Sequence, residues 1–211
     1  MVQFVNDWRG AFRRGEFRDQ FFVALAALLV TVLLMRAFMS YIGARMGAIL
    51  HDPVLGLFPP VSFTWITFTL VYAGFLLGFV SLTARPFSFL LALRALVVLM
   101  LIRGICQFFL PLDPPPDAIP LADPFIRVPG FRPVIARDLF FSWHTSLLAL
   151  LAFVIQWRDL KIILGILALI VSVLMLLQHA HYTIDLVAAP CFAYAAYGIA
   201  KAVSVQEVAR R

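Results

Sequence analysis

The sequence predicts an all-α membrane protein, a bundle of six transmembrane helices with both termini in the cytoplasm. Hydrophobic residues make up 63% of the 211 residues and charged residues only 13%. A soluble domain of this length has too much surface for its volume to hide so many apolar side chains. Six continuously apolar runs approach the roughly 20 residues that an α-helix needs to cross a bilayer, and they lack the alternation of barrel strands.

The chain begins with a basic segment, 1–19, in which four arginines alternate with Trp8 and three phenylalanines. An amphipathic helix on an anionic membrane face and a solvated basic tail explain this composition equally well. The charge order also resembles a signal peptide, but the following apolar run is too long and has no clear cleavage site. We therefore expect a retained first span at 20–44.

The other predicted spans are 61–82, 87–110, 139–157, 161–179 and 182–203. Residues 20–203 then form one transmembrane domain, followed by a tail at 204–211. The connections are short except for segment 111–138, which holds eight of the thirteen prolines. Proline interrupts helices, so this segment is predicted to be a long loop, a type that often serves a function.

The distribution of basic residues predicts the orientation. With the N-terminus inside, the cytoplasmic segments carry ten lysines and arginines and the opposite side roughly four. The positive-inside rule therefore puts both termini in the cytoplasm and loop 111–138 on the other side. Because the arginines follow the ends of spans, they do not indicate nucleic-acid binding. Cys106 and Cys191 lie in apolar runs and are expected to pack as small hydrophobes, not to form a disulfide.

Two stretches carry ionisable groups at the starts of spans. The stretch FSWHTSLLAL (141–150) puts His144 at the start of the fourth span, and QHAHYTIDLVAAP (178–190) puts His181 and Asp185 at the start of the sixth. The predicted topology brings both starts to the non-cytoplasmic side. His181 and Asp185 are four residues apart, so they share a helix face, and the carboxylate can fix the imidazole tautomer.

This set of residues suits phosphoryl transfer. The second nitrogen of His181 is a nucleophile for phosphorus, His144 can move the proton, and helix N-termini favour a phosphate. A simple packing role for the histidines is one alternative. A zinc site of His144, His179 and His181 is another, although His179 and His181 point to different sides of a helix. Phosphoryl transfer by these groups requires no metal and no other cofactor.

These stretches resemble motifs of the sphingomyelin synthase-like family, in the type-2 phosphatidic acid phosphatase superfamily. DLFFSWHTSLLALLAFVI (138–155) resembles the family's Asp-Tyr-x-x-Ser-Gly-His-Thr motif, and HAHYTIDLVAAP (179–190) resembles its His-x-His-Tyr-Ser/Thr-Ile/Val-Asp motif. Weaker similarities lie in HDPVLGLFPP (51–60) and LMLIRGICQFFLPL (99–112). The similarity covers most of residues 50–200 and suggests a short prokaryotic-type member, expected in a bacterial inner membrane.

The resemblance implies a catalytic domain whose site faces the non-cytoplasmic side. His181 would be the nucleophile, Asp185 its orienting partner and His144 the acid and base. The reaction implied is transfer of phosphocholine or phosphoethanolamine from a glycerophospholipid to ceramide or a similar lipid alcohol. The family motifs also imply substrate contacts from four further positions, Asp138, His179, Arg103 and Asp52. For Arg103, an ion pair with Asp52 or Asp138 is an equal alternative to phosphate binding.

Trp143 stands where the family has glycine, which leaves the headgroup open. Its indole either stacks on a choline ammonium or lies at the membrane interface like Trp65 and Trp157. With water as acceptor, the same residues would give a phospholipase C-like hydrolase or a lipid phosphate phosphatase. The nearest sequence to the superfamily's basic phosphate-binding motif is RPFSFLLALR (85–94). It lies at the cytoplasmic end of the third predicted span, on the side opposite the histidines, which counts against the phosphatase.

A third hypothesis is a lipid-binding or transport protein without catalysis, since a fold alone does not determine function. The intact set of His144, His181 and Asp185 argues against it. The expected partners are lipids and the membrane. A homo-oligomer stays open, because GARMG (43–47) has the small-xxx-small spacing of helix pairs, a spacing that is also common by chance.

Overall fold

The structure is a computed structural model that describes residues 2–124 and 139–209. Within these ranges the chain is helical and contains no strand, which confirms the predicted all-α class. The described residues form seven α-helices, α1 (Val2–Arg13), α2 (Gly15–Ala44), α3 (Thr64–Thr83), α4 (Pro86–Phe109), α5 (Trp143–Val154), α6 (Arg158–Leu177) and α7 (Thr183–Ala209). A 3-10 turn occupies Leu55–Leu57. Residues 111–124 of the predicted loop contain no helix, and α7 extends beyond the predicted span into the predicted tail.

Five of these helices are long and apolar enough to cross a membrane, namely α2, α3, α4, α6 and residues Thr183–Ser204 of α7. Large apolar side chains such as Leu29, Val80 and Leu169 are more than half exposed on their outer faces. A soluble protein rarely tolerates so much apolar surface, whereas lipid covers it without cost. The chain is therefore a multi-pass membrane protein.

The predicted fourth span differs from the other five, because α5 has only 12 residues. Such a helix rises about 18 Å, less than the roughly 30 Å of hydrocarbon. It packs mainly between α6 and α7, and most of its side chains are buried, Leu148 completely. A helix surrounded by protein does not need to span the lipid by itself. The extended residues that follow reach Gln156, whose side chain bonds Arg85 and Ser88 at the far end of the bundle.

The predicted basic segment forms α1 and the first turn of α2. Trp8 of this segment faces the bundle. Its Nε1 donates to the carbonyl oxygen of Thr83 at 2.7 Å, and its ring contacts Phe12, Phe21 and Phe89. Burial of these rings holds α1 against the ends of α3 and α4. The segment is therefore a docked helix and not a solvated tail.

The core brings the starts of α5 and α7 together. One cluster joins α5 to α3 and α6 and is centred on Leu148, Leu164 and Met175. A second cluster joins α4, α5 and α7 through small side chains, Ala95, Ala149, Ala189, Ala193 and Ala196. Small residues let membrane helices approach closely. Cys106 is half-buried, Cys191 is exposed on α7, and both are free.

Candidate functional site

The two histidine stretches meet at the end of the bundle opposite α1. The backbone N–H of Ser142, before α5, donates to the carbonyl oxygen of Asp185 in α7 at 3.3 Å. His144 and His181 line one cavity of about 570 Å³, together with Arg103 and Trp143. A cavity of this size is in the range of small-molecule sites. The predicted proximity of the two histidines is thus present.

His181 is held by the turn between α6 and α7. Its Nδ1 lies 3.4 Å from Oδ2 of Asp185, a distance at the long end for a hydrogen bond. Asp185 is completely buried, and the same oxygen accepts a hydrogen bond from the Tyr182 backbone N–H at 3.1 Å. The carboxylate therefore faces Nδ1 of the imidazole, which leaves Nε2 as the nitrogen available for chemistry.

The first amide of α7, that of Thr183, is already bonded and does not face a phosphate. The N–H of Thr183 donates to Oδ2 of Asp52 at 2.7 Å, and the Thr183 hydroxyl donates to Oδ1 at 3.2 Å. Asp52 also accepts from the Val54 N–H at 3.0 Å. The expectation that this helix terminus binds phosphate is therefore wrong for Thr183, because Asp52 caps it. Desolvation raises the pKa of Asp52, but the hydrogen bonds from Thr183 and Val54 outweigh it and hold the pKa below 3.8.

Arg103 lies in the last third of α4 and only 7% of it is exposed. It lines the cavity, and its guanidinium lies 5.8 Å from the centroid of the Phe141 ring, a cation–π distance. Asp52 is engaged by the start of α7, so the alternative ion pair of Arg103 with Asp52 is not formed. Asp138, its other suggested partner and a predicted substrate contact, lies outside the described residues.

His179 has a structural role that the sequence analysis missed. Its φ of 54° is left-handed, its N–H donates to the Leu176 carbonyl, and the next N–H, of Ala180, donates to the Met175 carbonyl. This pattern is a Schellman motif, which ends α6. The ring packs on Phe58 and borders a separate pocket of about 360 Å³. The structure therefore does not bring His179 into the cavity of His144 and His181.

The alternative zinc site is not formed in the part of the chain that the structure describes. No three His, Cys, Asp or Glu side chains within residues 2–124 and 139–209 are close enough to hold a metal ion. His179 lines a different pocket from the other two histidines, and the two pockets share Pro115 and Pro116 in their lining.

Segment 114–123 covers the cavity, and buried Gln178 holds it in place. The Gln178 side chain donates to the Ile119 carbonyl and to Oγ1 of Thr64, and it accepts from the Phe63 N–H. The Ile119 N–H returns a bond to the Gln178 carbonyl. A buried amide with this many partners fixes the surrounding segments. The only sequence signal was a polar residue immediately before the histidine motif.

The cavity also contains a carboxylate that the sequence analysis did not single out. Asp123 lines it and accepts a hydrogen bond from the hydroxyl of Tyr72 in α3. The remaining wall is largely apolar and includes Met35 and Met39 of α2 and Met100 of α4. Methionine adapts its shape to irregular apolar ligands. The cavity thus combines a polar region with a flexible apolar wall built from membrane-spanning helices.

Comparisons with protein-family models, with curated proteins and with solved structures give no match to this chain. Its function therefore has to be inferred from the cavity. Among the described residues, the ionisable lining comprises two imidazoles, one guanidinium and one carboxylate, with Asp185 buried behind His181. Such groups can bind a phosphate, attack it and move a proton.

Proposed function

We propose that this chain is an integral membrane enzyme that transfers a phospho-headgroup from a glycerophospholipid to ceramide or a similar lipid alcohol. The observation that carries the proposal is the shared cavity, where His144, His181 and Arg103 meet an apolar wall of methionines. Ionisable side chains at membrane depth are costly and are retained mainly for function. Asp138 is included in this proposal only because it matches a position of the family motif.

The reaction has two displacements. Nε2 of His181 attacks the phosphorus, the bond from phosphorus to the diacylglycerol oxygen breaks, and His144 gives that oxygen a proton. The headgroup is then held on His181 by a P–N bond. In the second step the acceptor hydroxyl loses its proton to His144 while its oxygen attacks phosphorus, and the P–N bond breaks. Asp185 holds the imidazole of His181 and stabilises its positive charge, and Arg103 neutralises the phosphate.

The lining of the cavity favours a headgroup that carries an ammonium. Arg103 suits the phosphate, whereas Asp123 and Trp143 suit a cation, by charge and by cation–π attraction. A phosphate monoester such as phosphatidic acid has no cationic group that could pair with the Asp123 carboxylate. We therefore favour phosphocholine or phosphoethanolamine over a phosphatase substrate.

The proposed orientation has six crossings, with both termini in the cytoplasm and the cavity on the other side of a bacterial inner membrane. Arg14 and Arg85 lie at the end where α1 docks, each over an aromatic ring. The positive-inside rule then assigns that end to the cytoplasm. Although α5 is short, its extension to Gln156 runs to the same end, which supports a sixth crossing inside the bundle.

The test is a mass-spectrometric assay of purified protein in mixed micelles with headgroup-labelled phosphatidylcholine or phosphatidylethanolamine, with and without ceramide. A ceramide-linked headgroup that disappears in His181→Ala supports the proposal. His51→Ala is the matched control, since His51 is exposed and does not line the cavity. Release of free phosphocholine or phosphoethanolamine regardless of ceramide would favour a hydrolase. Lipid binding without any turnover would favour a binding protein.

A further inference from the structure

A further cavity lies on the lipid-facing side of the bundle and shares no lining residue with the cavity of His144 and His181. It is a groove of about 570 Å³ between α6 and α7, with α5 as its floor. The groove exists because α6 and α7 both pack against α5 but hardly against each other. Its walls include small side chains and a helix-interior proline, Ala149, Ala152, Gly165, Ala168, Val187 and Pro190.

The two ends of this groove differ in charge. Lys161 is exposed at the basic end of the bundle, and its side chain makes no hydrogen bond or ion pair with another described residue. Toward the other end, where Leu176 and Thr183 line the groove, the hydroxyls of Thr145 and Ser172 pair with each other at 3.0 Å. On α6 the lining runs from Lys161 to Leu176, about 22 Å along the helix, which is shorter than the roughly 30 Å hydrocarbon core. A lipid whose phosphate lies beside Lys161 can therefore place an acyl chain along the groove.

We infer that the groove binds one phospholipid of the leaflet at the basic end, with an acyl chain along α5 and the phosphate beside Lys161. An apolar groove in the hydrocarbon region has no water to fill it, so an acyl chain is the natural occupant. Lys161 supplies the complementary charge for a phosphate, and lysine side chains reach the interface easily. A helix of a second copy would instead bring its own apolar surface against this ammonium. This second lipid is independent of the proposed catalysis.

Two glycines give a matched pair for the test. A Cβ built on Gly165 or on Gly198 meets no atom within 4 Å, and both residues are exposed in the middle of long helices. Only Gly165 lines the groove. Gly165→Leu therefore fills the groove without strain, and Gly198→Leu makes the same change elsewhere. We expect native mass spectrometry with added phosphatidylglycerol to show affinity reduced on the order of tenfold in Gly165→Leu, and unchanged in Gly198→Leu.

The two lysines of the chain provide a second pair. Lys161→Gln should weaken phosphatidylglycerol binding about fivefold at low salt, whereas Lys201→Gln should leave it unchanged. Diacylglycerol, which has no phosphate, should bind the wild type and Lys161→Gln alike. The inference is overturned if Gly165→Leu binds phosphatidylglycerol as well as the wild type. It is also overturned if the wild type is a dimer that retains no lipid and Gly165→Leu is a monomer, because the groove would then be an interface between copies.

Discussion

Gly47 allows two loop segments near the cavity to approach each other, so Gly47→Ala should disrupt that contact. The neighbouring Ala48 forms a parallel bridge with Leu112. Its N–H donates to the Pro111 carbonyl at 2.9 Å, and its carbonyl accepts from the Asp113 N–H at 3.0 Å. A Cβ on Gly47 would lie 2.4 Å from the Asp113 nitrogen. Backbone atoms at that distance must move apart, so both bonds would be strained or lost.

The expected loss follows from these contacts. Each backbone hydrogen bond contributes about 1 kcal/mol net, so breaking both destabilises the fold by about 2 kcal/mol. The bond from the Tyr182 hydroxyl to the Asp113 carbonyl, at 2.9 Å, would weaken as well, which brings the total to about 3 kcal/mol. Thermal or denaturant unfolding in detergent measures this change in stability.

The control is Gly43→Ala, one turn earlier in α2. A Cβ at Gly43 meets nothing within 4 Å, and alanine favours a helix over glycine by up to about 1 kcal/mol. We therefore expect Gly43→Ala to be neutral or slightly stabilising. If Gly47→Ala proved as stable as Gly43→Ala, the bridge between residues 48 and 112 would not hold these segments together, and our account of the cavity cover would be wrong.

Three further predictions concern residues near the cavity. Asp52→Ala should cost about 1–2 kcal/mol of unfolding free energy. Because the folded pKa of Asp52 is lowered, this contribution is present above pH 3.8 and is lost as the pH falls through the folded value. An unfolding series in which the stability difference between wild type and Asp52→Ala stays the same at lower pH would contradict this. His179→Gly should leave folding and headgroup transfer intact, since glycine favours the left-handed conformation; lost transfer in a stably folded variant would instead indicate a substrate contact. Asp123→Asn should raise the KM for phosphatidylcholine severalfold more than that for phosphatidic acid, and equal effects on both donors would refute its role with the ammonium.

Much of the fold could be predicted because membrane spans have a simple signal. A continuous apolar run of about 20 residues predicts a helix in any tertiary context, and five predicted spans match helices of spanning length. Helical spacing predicted the pairing of His181 with Asp185, but His181 lies in the turn before α7, and the Tyr182 N–H bond to Asp185 is what holds the carboxylate beside it. The common location of His144 and His181 followed from counting the spans between them.

Other features depend on tertiary contacts that no local pattern contains. The helix α5 is buried between other helices and has only 12 residues. A hydropathy pattern does not distinguish such a buried helix from a span that faces lipid. Asp52 caps a helix that begins 131 residues later in the chain, and no local pattern shows this contact. Its position in the family motif had suggested a ligand contact instead. The left-handed turn at His179 ends α6 without the glycine that usually signals such a turn.

We propose that His181 carries the headgroup as a covalent intermediate. Peptide mass spectrometry can detect this intermediate after the protein is incubated with labelled phosphatidylcholine in the absence of an acceptor and quenched at alkaline pH. We expect a phosphocholine adduct on His181, on no other histidine, which disappears when ceramide is added. An adduct on His144, or transfer that continues in His181→Ala, would contradict it.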